Sequence, residues 1–313
     1  MTECNGVFEG GGVRGIGHVG AACAVEKAGY RFVDLAGSSA GAIVAALLAA
    51  GYSCGQLMTE MRNLEYFKFK GKSWEDYLGA AGKILSILLT FGIYHTDYLE
   101  QWLERRLEEK NAVSFGDLKK KGRTLKITAS DLTTRRLLIF PDDLKEFHID
   151  PDGFPIARAV RMSASIPVYF EPMRLTDATG RVHFIVEGGL LSTYPIWLLD
   201  QEKTRPTFGF RFQEKGEGEK LCCGRMNLAE YLKSIVSTCL DAIDNSRYDP
   251  KYESQTICIP TSVRIDGKVR TISATDFQIT SQEELALFEN GKKAAEQFLE
   301  LHSQYECDTI SGE

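Results

Sequence analysis

The sequence predicts an α/β protein with a mainly parallel central sheet, and two observations lead to that prediction. The first 51 residues alternate in the order strand, loop, helix, strand, turn, helix. Such alternation is typical of parallel strands joined by helices that cover the faces of the sheet. The composition agrees with this class, because 43% hydrophobic and 26% charged residues are ordinary proportions for a globular protein.

The opening elements have clear boundaries. The pattern predicts a strand around Val7-Phe8, a helix Ile16–Ala28, a strand Arg31–Ala36 and an apolar helix Ala40–Ala50. Gly51 follows the second helix, at the position where glycine commonly ends a helix. Each predicted strand therefore leads through a glycine-rich turn into a helix.

The rest of the chain continues the alternation with weaker signals. A mostly helical stretch is expected from Cys54 to Glu109. The later predicted elements are strands Thr124–Asp131, Leu137–Phe140, Arg181–Val186, Thr207–Phe212, Thr256–Pro260 and Val269–Thr271, and helices Ala157–Ser165, Leu228–Arg247 and Ser281 to about Tyr305, the last with a capping box of Ser281 and Glu284. No repeat or linker interrupts them. We predict one domain over residues 1–313, with a core at about 5–200 and C-terminal strands and a helix to about 305.

Charge and cysteine usage exclude several classes of protein. The net charge of −6 comes without a basic stripe, so we expect no nucleic-acid partner. We expect no secretory signal at the start of the chain, and no run reaches the ~18 apolar residues that span a bilayer. The sequence contains no CxxC pair, which is the spacing typical of a metal site. Cys23 falls within an apolar helical pattern. We expect reduced thiols in a cytoplasmic protein, with a disulfide as the alternative.

The strongest chemical signal is Gly37-Ser38-Ser39-Ala40-Gly41, a G-x-S-x-G motif between a predicted strand and a predicted helix. A sharp strand-to-helix turn needs small neighbours, because its central residue adopts a strained backbone conformation. Gly37 and Gly41 keep side chains off that turn, and Ser39 projects its hydroxyl toward substrate. The start of the helix favours negative charge near the serine. We predict a nucleophile at Ser39; the alternative is a plain turn in which Ser39 caps the helix.

A glycine cluster at residues 10–15 also lies between a strand and a helix. Its consecutive glycines allow backbone N–H groups to converge on an anion, and the helix start adds its dipole. If that anion is the oxyanion formed from an acyl ester, the cluster supplies an oxyanion hole. The candidate residues are Gly10, Gly11, Gly12, Arg14 and Gly15.

The same cluster allows a second interpretation. It spells G-x-G-x-x-G, the dinucleotide fingerprint, and Asp34 stands at the end of the next predicted strand, where a ribose-binding acid is expected. Against this interpretation, the G-x-S-x-G motif follows Asp34 at once, and a ribose-binding strand does not require it. A dinucleotide-dependent enzyme is therefore a remote alternative.

The third motif, Glu187-Gly188-Gly189, follows the predicted strand Arg181–Val186. A hydroxyl nucleophile needs a base, and a carboxylate at a strand end, followed by two glycines, can approach a serine closely. Taken alone, the motif favours a solvated glutamate in a glycine turn. Together with the other two motifs, it indicates Glu187 as the base.

Histidine is the usual base, and the sequence contains five. None lies in a context that indicates a catalytic triad. His183 shares a strand and a face with Glu187, but four residues of strand separate them by roughly 13 Å. Ser39 also follows only two strands, unlike the serine of α/β-hydrolases.

In this order the three motifs resemble the patatin-like phospholipase family, in its bacterial branch. The family pattern is G-G-G-x-[RK]-G near the N-terminus, G-x-S-x-G shortly after it and D-G-[GA] far downstream. Three further stretches resemble the family: Val160–Pro172 (VRMSASIPVYFEP), Ala129–Leu132 and residues 276–299. The resemblance implies a three-layer α/β/α sandwich and lipid acyl hydrolysis by a Ser–Asp dyad that needs no metal or cofactor. Ser39 would attack the acyl carbonyl, with the Gly11-Gly12 backbone holding the oxyanion.

The sequence departs from the family pattern at Glu187, where the family has aspartate. Glutamate is one methylene longer, so its carboxylate overshoots by roughly an ångström on an unchanged backbone, which can cost on the order of 10²-fold in rate. Two outcomes are open. Either Glu187 reaches Ser39 through another rotamer and serves as base, or the protein is a weak or inactive member that binds lipid. We expect an active enzyme.

A lipid substrate implies contact with a membrane surface. Ile84–Tyr94 is the candidate, since it is apolar almost all round and too short to span a bilayer. Residues 66–72 (YFKFKGK) add lysines beside aromatics. The alternative is a core helix next to a solvated loop. Any membrane contact is expected to be peripheral.

Overall fold

A computed structural model describes residues 1–64, 86–200, 205–213, 231–232, 234–236, 238–239 and 249–310, with side chains described as far as residue 302. The helices are α1 (Gly15–Lys27), α2 (Ala40–Ala50), α3 (Cys54–Arg62), α4 (Asp97–Glu109), α5 (Phe115–Lys120), α6 (Ile156–Ser163) and α7 (Ser281–Ile310). The strands are β1 (Thr2–Phe8), β2 (Tyr30–Ser38), β3 (Gly92–Tyr94), β4 (Thr124–Asp131), β5 (Arg136–Phe140), β6 (Val168–Phe170), β7 (Met173–Thr176), β8 (Val182–Glu187), β9 (Thr207–Gln213), β10 (Thr256–Pro260), β11 (Ser262–Ile265) and β12 (Lys268–Thr271).

The main sheet is mostly parallel, which confirms the predicted fold class. Its order is β10-β9-β1-β2-β4-β8-β7, and β5 also pairs with β4. The strands from β10 to β4 are parallel, whereas β5, β7 and β8 run antiparallel to their neighbours. Helices flank this sheet, as the alternation of strands and helices predicts.

One side of β4 pairs with two strands in succession, first β2 and then β8. Ile127 and Thr128 pair with both β2 and β5, so these two strands lie on opposite sides of β4. From Ala129 onward, β4 pairs with both β5 and β8, so β8 occupies the side that β2 has left. The C-terminal end of β2 therefore meets the C-terminal end of β8. This arrangement positions the candidate site.

The core divides between the two faces of the sheet. The larger cluster contains Phe8 and Leu35 of the strands together with most of the helical apolar residues. Adjacent strand residues point the other way, and Val7 and Ala36 form a smaller cluster with Ile196 and Tyr252. This alternation is the ordinary period of a strand buried on both sides.

The C-terminal part of the chain packs closely on the N-terminal part. Strand β9 pairs with β1, and α7 lies along α1. The helices approach through glycines: a Cβ atom on Gly20 would lie 1.9 Å from the carbonyl oxygen of Phe288, and one on Gly291 would lie 1.9 Å from that of Gly17. Since α1 follows the glycine cluster directly, α7 supports the helix behind the candidate site.

Several short elements differ from the predictions. Strands β3, β6, β7 and β11 and helix α5 are absent from the predicted set, because segments this short carry little periodicity. The final helix is capped one residue earlier than predicted: Thr280 and Glu283 exchange the capping hydrogen bonds. Most of the predicted helix Leu228–Arg247 lies outside the described residues, as do residues 66–72 and 84–85.

The prediction of reduced cysteines is wrong at two positions. A disulfide joins Cys23 in α1 to Cys54 at the start of α3, with Cα atoms 5.0 Å apart. The packing of α1 against α3 brings the two together, and neither helical pattern reveals that contact. The thiol argument for a cytoplasmic location therefore fails for this pair.

None of the helices in the described part of the chain is long and apolar enough to cross a membrane.

Candidate active site

Ser39 occupies a strained turn between β2 and α2. Its backbone angles are φ 51° and ψ −122°, a positive φ that non-glycine residues rarely adopt. Such strain persists only where the surroundings enforce it, and it is typical of a serine at a strand-to-helix elbow. Ser39 is 2% exposed and stands at the start of α2, where the helix dipole favours negative charge.

The glycines of the turn are required by close backbone contacts. A Cβ atom on Gly41 would lie 2.2 Å from the carbonyl oxygen of Phe8, and one on Gly37 would lie 2.6 Å from the carbonyl oxygen of Gly41. The elbow thus packs directly against the end of β1. The same packing brings the glycine cluster to the serine: a Cβ atom on Gly10 would lie 3.4 Å from the Cβ of Ser39.

Hydrogen bonds made by the glycine cluster reduce the number of N–H groups that can serve as oxyanion-hole donors. The N–H of Gly10 donates to Thr193 O at 2.9 Å, and the N–H of Arg14 donates to Gly11 O at 3.1 Å. The N–H of Gly15 donates to Gly12 O. These three residues, predicted as members of the hole, have N–H groups committed to protein acceptors, because the start of α1 continues as a helical turn.

Gly11 and Gly12 differ from the rest of the cluster. Within the described part of the chain, no acceptor bonds to the N–H of either residue. Gly12 has φ +53°, and a Cβ atom there would lie 1.9 Å from the carbonyl oxygen of Ala274. The loop can therefore present two adjacent donors only with glycine at this position.

The Arg14 side chain stabilises this loop. Its Nε donates to Gly11 O at 3.2 Å, and its guanidinium lies over the Phe212 ring at 5.0 Å. Arg14 was predicted as a member of the oxyanion hole, and these contacts favour a role in stabilising the loop.

Glu187 lies where β8 meets β2. Ser38 pairs with Thr128, and Glu187 pairs with the next residue of β4, Ala129. A Cβ atom on Gly188 would lie 2.4 Å from Thr128 O and 2.7 Å from the Ser38 hydroxyl. The base motif therefore touches the residue next to the nucleophile, and Glu187 is buried rather than solvated.

The end of α6 and the residues after it bond to both Ser39 and Glu187. Ser163 accepts a hydrogen bond from the Ser39 N–H at its Oγ, at 2.8 Å, and Ser165 O accepts one from the Glu187 N–H at 2.9 Å. Sequence reasoning assigned no role to Ser163. The signal was present, since Ser163 and Ser165 fall within the Val160–Pro172 stretch that resembles the family.

The histidines have other roles, and within the described residues none bonds to Ser39. His18 is buried among Phe8 and Phe212, and its Nε2 donates to Glu9 O at 2.8 Å. Burial lowers the pKa of His18 to about 3, so the ring is neutral. It lies behind the glycine loop as a packed core residue.

His183, on β8, forms hydrogen bonds with two carboxylates that lie outside that strand. Its Nδ1 donates to Asp131 Oδ2 at 2.7 Å, and its Nε2 donates to Asp177 Oδ2 at 3.2 Å. The bond to Asp131 raises the pKa of His183. Burial opposes ionisation of Asp131, but hydrogen bonds from Thr134 and His183 outweigh it and lower that pKa. This cluster fastens β8 to the end of β4.

An apolar pocket of about 40 Å³ opens at Ser39. Its lining is formed by apolar side chains together with Ser39 and Thr96. The lining residues are Gly12, Ser39, Ala40, Ile43, Thr96, Leu99, Ala164, Ile166, Phe170 and Phe277. Among the described residues, its lining carries no ionisable side chain, so this part of the pocket suits an uncharged hydrocarbon group.

Asp34 does not support the dinucleotide interpretation. Strand β2 runs on to Ser38, so Asp34 is a mid-strand residue roughly 13 Å before the turn. Its carboxylate is held by Arg205 at 2.7 Å and by the Thr124 hydroxyl at 2.6 Å. A ribose-binding acid would stand at the strand end near the glycine cluster.

A family model described as patatin-like phospholipase matches residues 6–200. An uncharacterized protein of Bacillus subtilis, YqhO, is 38% identical over 295 residues, covering 94% of this chain and 97% of that protein. An uncharacterized protein of Acanthamoeba polyphaga mimivirus, R571, is 26% identical, covering 94% of this chain and 92% of that protein.

Two solved structures share the fold. VipD from Legionella pneumophila superposes with a TM-score of 0.56 at 15% identity, covering 96% of this chain and 67% of that chain. ExoU from the type III secretion system of Pseudomonas aeruginosa, in complex with SpcU, gives 0.53 at 18% identity. That match covers 97% of this chain and 52% of the other, so this chain spans about half of ExoU.

Proposed function

The chain belongs to the patatin-like phospholipase family, and on that premise we propose that it is a serine acyl hydrolase that cleaves acyl esters of lipids. The observation that carries the proposal is the meeting of β2 and β8 along one side of β4. Ser38, the residue before Ser39, pairs with Thr128, and Glu187 pairs with the next residue, Ala129. The strained elbow at Ser39 and the two N–H donors of the glycine loop support the same reaction.

The first half-reaction forms an acyl-enzyme. The Ser39 Oγ attacks the acyl carbonyl carbon while its proton passes to the Glu187 carboxylate. The carbonyl oxygen becomes an oxyanion and accepts hydrogen bonds from the Gly11 and Gly12 N–H groups, each worth about 10²–10³ in rate in related sites. The tetrahedral intermediate then expels the alcohol, which takes the proton from Glu187.

The second half-reaction returns the free enzyme. Glu187 accepts a proton from water as the water oxygen attacks the acyl carbon. The bond to Ser39 Oγ breaks, and the proton held by Glu187 returns to the serine. The carboxylic acid leaves, and no metal or cofactor takes part in the cycle.

Hydrolysis of soluble and lipid esters by wild type and Ser39→Ala tests this function. We expect Ser39→Ala to lose activity by on the order of 10⁶-fold, to the level of the uncatalysed reaction or of oxyanion stabilisation alone. Wild-type activity equal to that of Ser39→Ala would contradict the proposed hydrolase activity. Lipid-vesicle binding retained by such an inactive protein would favour the lipid-binding alternative, which the glutamate in place of aspartate at 187 suggests.

The proposal includes a peripheral contact with the lipid surface through the described part of Ile84–Tyr94. Residues 86–90 are helical, and Leu88, Leu89 and Phe91 are 67%, 62% and 54% exposed. Exposed apolar side chains grouped in this way are typical of an interaction surface. The segment leads into β3, which pairs with β6 and so with the pocket residue Phe170.

Cationic and aromatic groups lie beside this apolar segment. The Phe91 ring meets Phe184 at 5.8 Å, and the Arg174 guanidinium lies over Phe184 at 5.5 Å. Apolar side chains next to cations suit the headgroup region of a bilayer.

Sedimentation with liposomes of mixed neutral and anionic lipids tests the contact. We expect the double variant Leu88→Glu, Leu89→Glu to reduce the bound fraction about tenfold or more, since each exposed leucine adds roughly 1.5–3 kcal/mol when buried. Ile87 is half-buried and packed on the core, so it is a poorer choice for substitution. Leu301→Glu, 56% exposed on α7, is the control. Equal binding by the double variant and wild type would remove the contact from the proposal.

A further inference from the structure

The segment 272–280, between β12 and α7, contacts the candidate site from outside the region matched by the family model. The Ala274 O accepts a hydrogen bond from the Val13 N–H at 3.0 Å, so the segment lies directly on the glycine loop. Of the described residues that line the pocket, Phe277 alone comes from outside residues 6–200.

Hydrogen bonds hold this segment in a defined shape. The Asp276 carboxylate accepts from the Ser273 N–H and from Arg270 Nη2, each at 3.1 Å. The Asp276 O accepts from the Ile279 N–H at 3.0 Å. Arg270 also pairs with Glu283 at the start of α7. The turn that carries Phe277 is therefore tied at both ends.

Phe277 lines the pocket and lies next to two other aromatic rings. Its ring centroid lies 6.3 Å from that of Phe170 and 6.3 Å from that of Tyr169. Phe170 is buried in the core, whereas Phe277 is half-buried on a short turn. Of these two pocket residues, Phe277 is the one that can change in size without disturbing the central packing.

The size of the pocket limits what can enter. The pocket volume of about 40 Å³ is far below the roughly 300–1,000 Å³ of pockets that enclose larger ligands. A short acyl chain therefore fits beside Ser39 more readily than a long one.

We propose that Phe277 sets the acyl-chain preference at this site: its ring takes up part of the pocket beside Ser39, so that Ser39 acts on short acyl groups of lipid esters in preference to long ones. This inference rests on the proposed function. It assigns specificity to a residue of the C-terminal segment, while Ser39, Glu187 and the glycine loop supply the chemistry.

The test compares kcat/KM for soluble p-nitrophenyl butanoate and dodecanoate, each below its aggregation limit. Wild type is expected to prefer butanoate. Phe277→Ala is expected to raise the dodecanoate-to-butanoate ratio about tenfold or more, because a single methylene in an apolar pocket changes the rate by roughly 10-fold to 200-fold. Phe277→Trp is expected to lower the ratio.

Phe298→Ala is the matched control, because Phe298 lies on α7 against Phe208, on the far side of the sheet order from β8. Its ratio should equal that of wild type. If Phe277→Ala fails to fold, Phe277→Leu should shift the ratio in the same direction by a smaller factor. A folded Phe277→Ala or Phe277→Leu with the wild-type ratio would overturn the proposal while leaving Ser39-dependent hydrolysis intact.

A binding measurement separates this proposal from the proposed function. In a Ser39→Ala background, displacement of a fluorescent fatty acid reports the affinities of butanoate and dodecanoate without catalysis. Adding Phe277→Ala is expected to strengthen dodecanoate binding about tenfold relative to butanoate. An unchanged relative affinity would overturn the role of Phe277 even if the wild-type protein hydrolyses no ester.

Discussion

The proposed nucleophile side of the site, around Ser39, is fixed by backbone packed against backbone, whereas the proposed base side, at Glu187, depends on one side chain at a strand end. On the nucleophile side, Gly37 and Gly41 leave no room for a Cβ atom, and Ser39 is held at a positive φ. On the base side, Glu187 reaches the site from an antiparallel strand that ends beside β2. A rigid nucleophile side tolerates little change, while the base side can adjust through rotamers and side-chain length.

This difference explains how the family aspartate can be replaced by glutamate. Glu187 has one more methylene than aspartate, so its carboxylate can take more positions. Its backbone is held in place, because the Glu187 N–H donates to Ser165 O at 2.9 Å. The elbow offers no such freedom, because each of its glycines touches main-chain atoms of a neighbour. Variation is therefore expected at the base and not at the elbow.

After removal of Ser39 itself, substitution of Glu187 is expected to have the largest effect on the rate. Glu187→Gln keeps the size and removes the base, so kcat/KM for a soluble ester should fall by about 10²–10⁴. Glu187→Asp keeps the charge but withdraws it by roughly an ångström, so its loss should be smaller, up to about 10²-fold. Steady-state kinetics measure both. A Glu187→Gln variant as fast as wild type would show that the base side contributes no proton transfer.

Gly41→Ala tests the rigid side. Its Cβ atom would lie 2.2 Å from Phe8 O, so the elbow must shift, and we expect about 1–3 kcal/mol less stability and on the order of 10²-fold lower activity. The control is Gly55→Ala in α3, where a Cβ atom meets nothing within 4 Å. That variant should be as stable as wild type or up to about 1 kcal/mol more stable. Unfolding in urea and ester kinetics distinguish them; a fully active Gly41→Ala would contradict the rigid elbow.

Ser163→Ala removes the contact that links the two sides. The Ser39 N–H would lose its acceptor in a buried setting, which costs about 1–3 kcal/mol. We expect kcat to fall by roughly 10-fold to 100-fold with KM little changed, because the elbow is displaced and the pocket is not. In the control Ser165→Ala, the lost hydroxyl donates to Arg161 O and makes no bond to Ser39. If both variants lose the same activity, Ser163 has no specific role in positioning the nucleophile.

The smallest effect is a pH dependence of stability confined to the base side. The pKa of His183 is raised by Asp131, so its stabilisation is complete below its unfolded pKa and is lost as the pH rises through the folded value. The carboxyls of Asp131 and Asp177 have lowered pKa values, so their contribution is lost as the pH falls through those values. Thermal unfolding from pH 4 to about pH 9 should show His183→Gln with a weaker decline than wild type above about pH 6.5. Parallel curves would show that the cluster does not couple to folding.

The sequence predicts the turn that carries Ser39 and the turn formed by the glycine cluster, because the determinants of both are local. The elbow and the glycine cluster each occupy a few consecutive residues between a strand and a helix, and local chemistry sets their geometry. The predicted strand–helix boundaries at Ala40–Ala50 and Thr124–Asp131 agree with α2 and β4 for the same reason.

The base side depends on pairing that local sequence does not encode. The pattern before Glu187 predicts a strand, but not that it runs antiparallel or that it ends against β2. The hydrogen bond between Ser163 and Ser39 spans 124 residues of chain, and Phe277 reaches the pocket from the C-terminal segment. The Cys23–Cys54 disulfide and the bond from the Gly10 N–H to Thr193 O are missed for the same reason, because tertiary contacts decide them. The Arg14 and Gly15 N–H groups are instead bonded within the local turn that begins α1.

The central claim is that a rigid elbow presents Ser39 to a base at Glu187. The most direct measurement is the rate of covalent labelling by a fluorophosphonate, with the modified residue located by mass spectrometry. We predict labelling of wild type at Ser39, no labelling of Ser39→Ala, and labelling of Glu187→Gln slowed about 10²-fold or more. Labelling of wild type elsewhere than Ser39, or an unchanged rate in Glu187→Gln, would contradict the account.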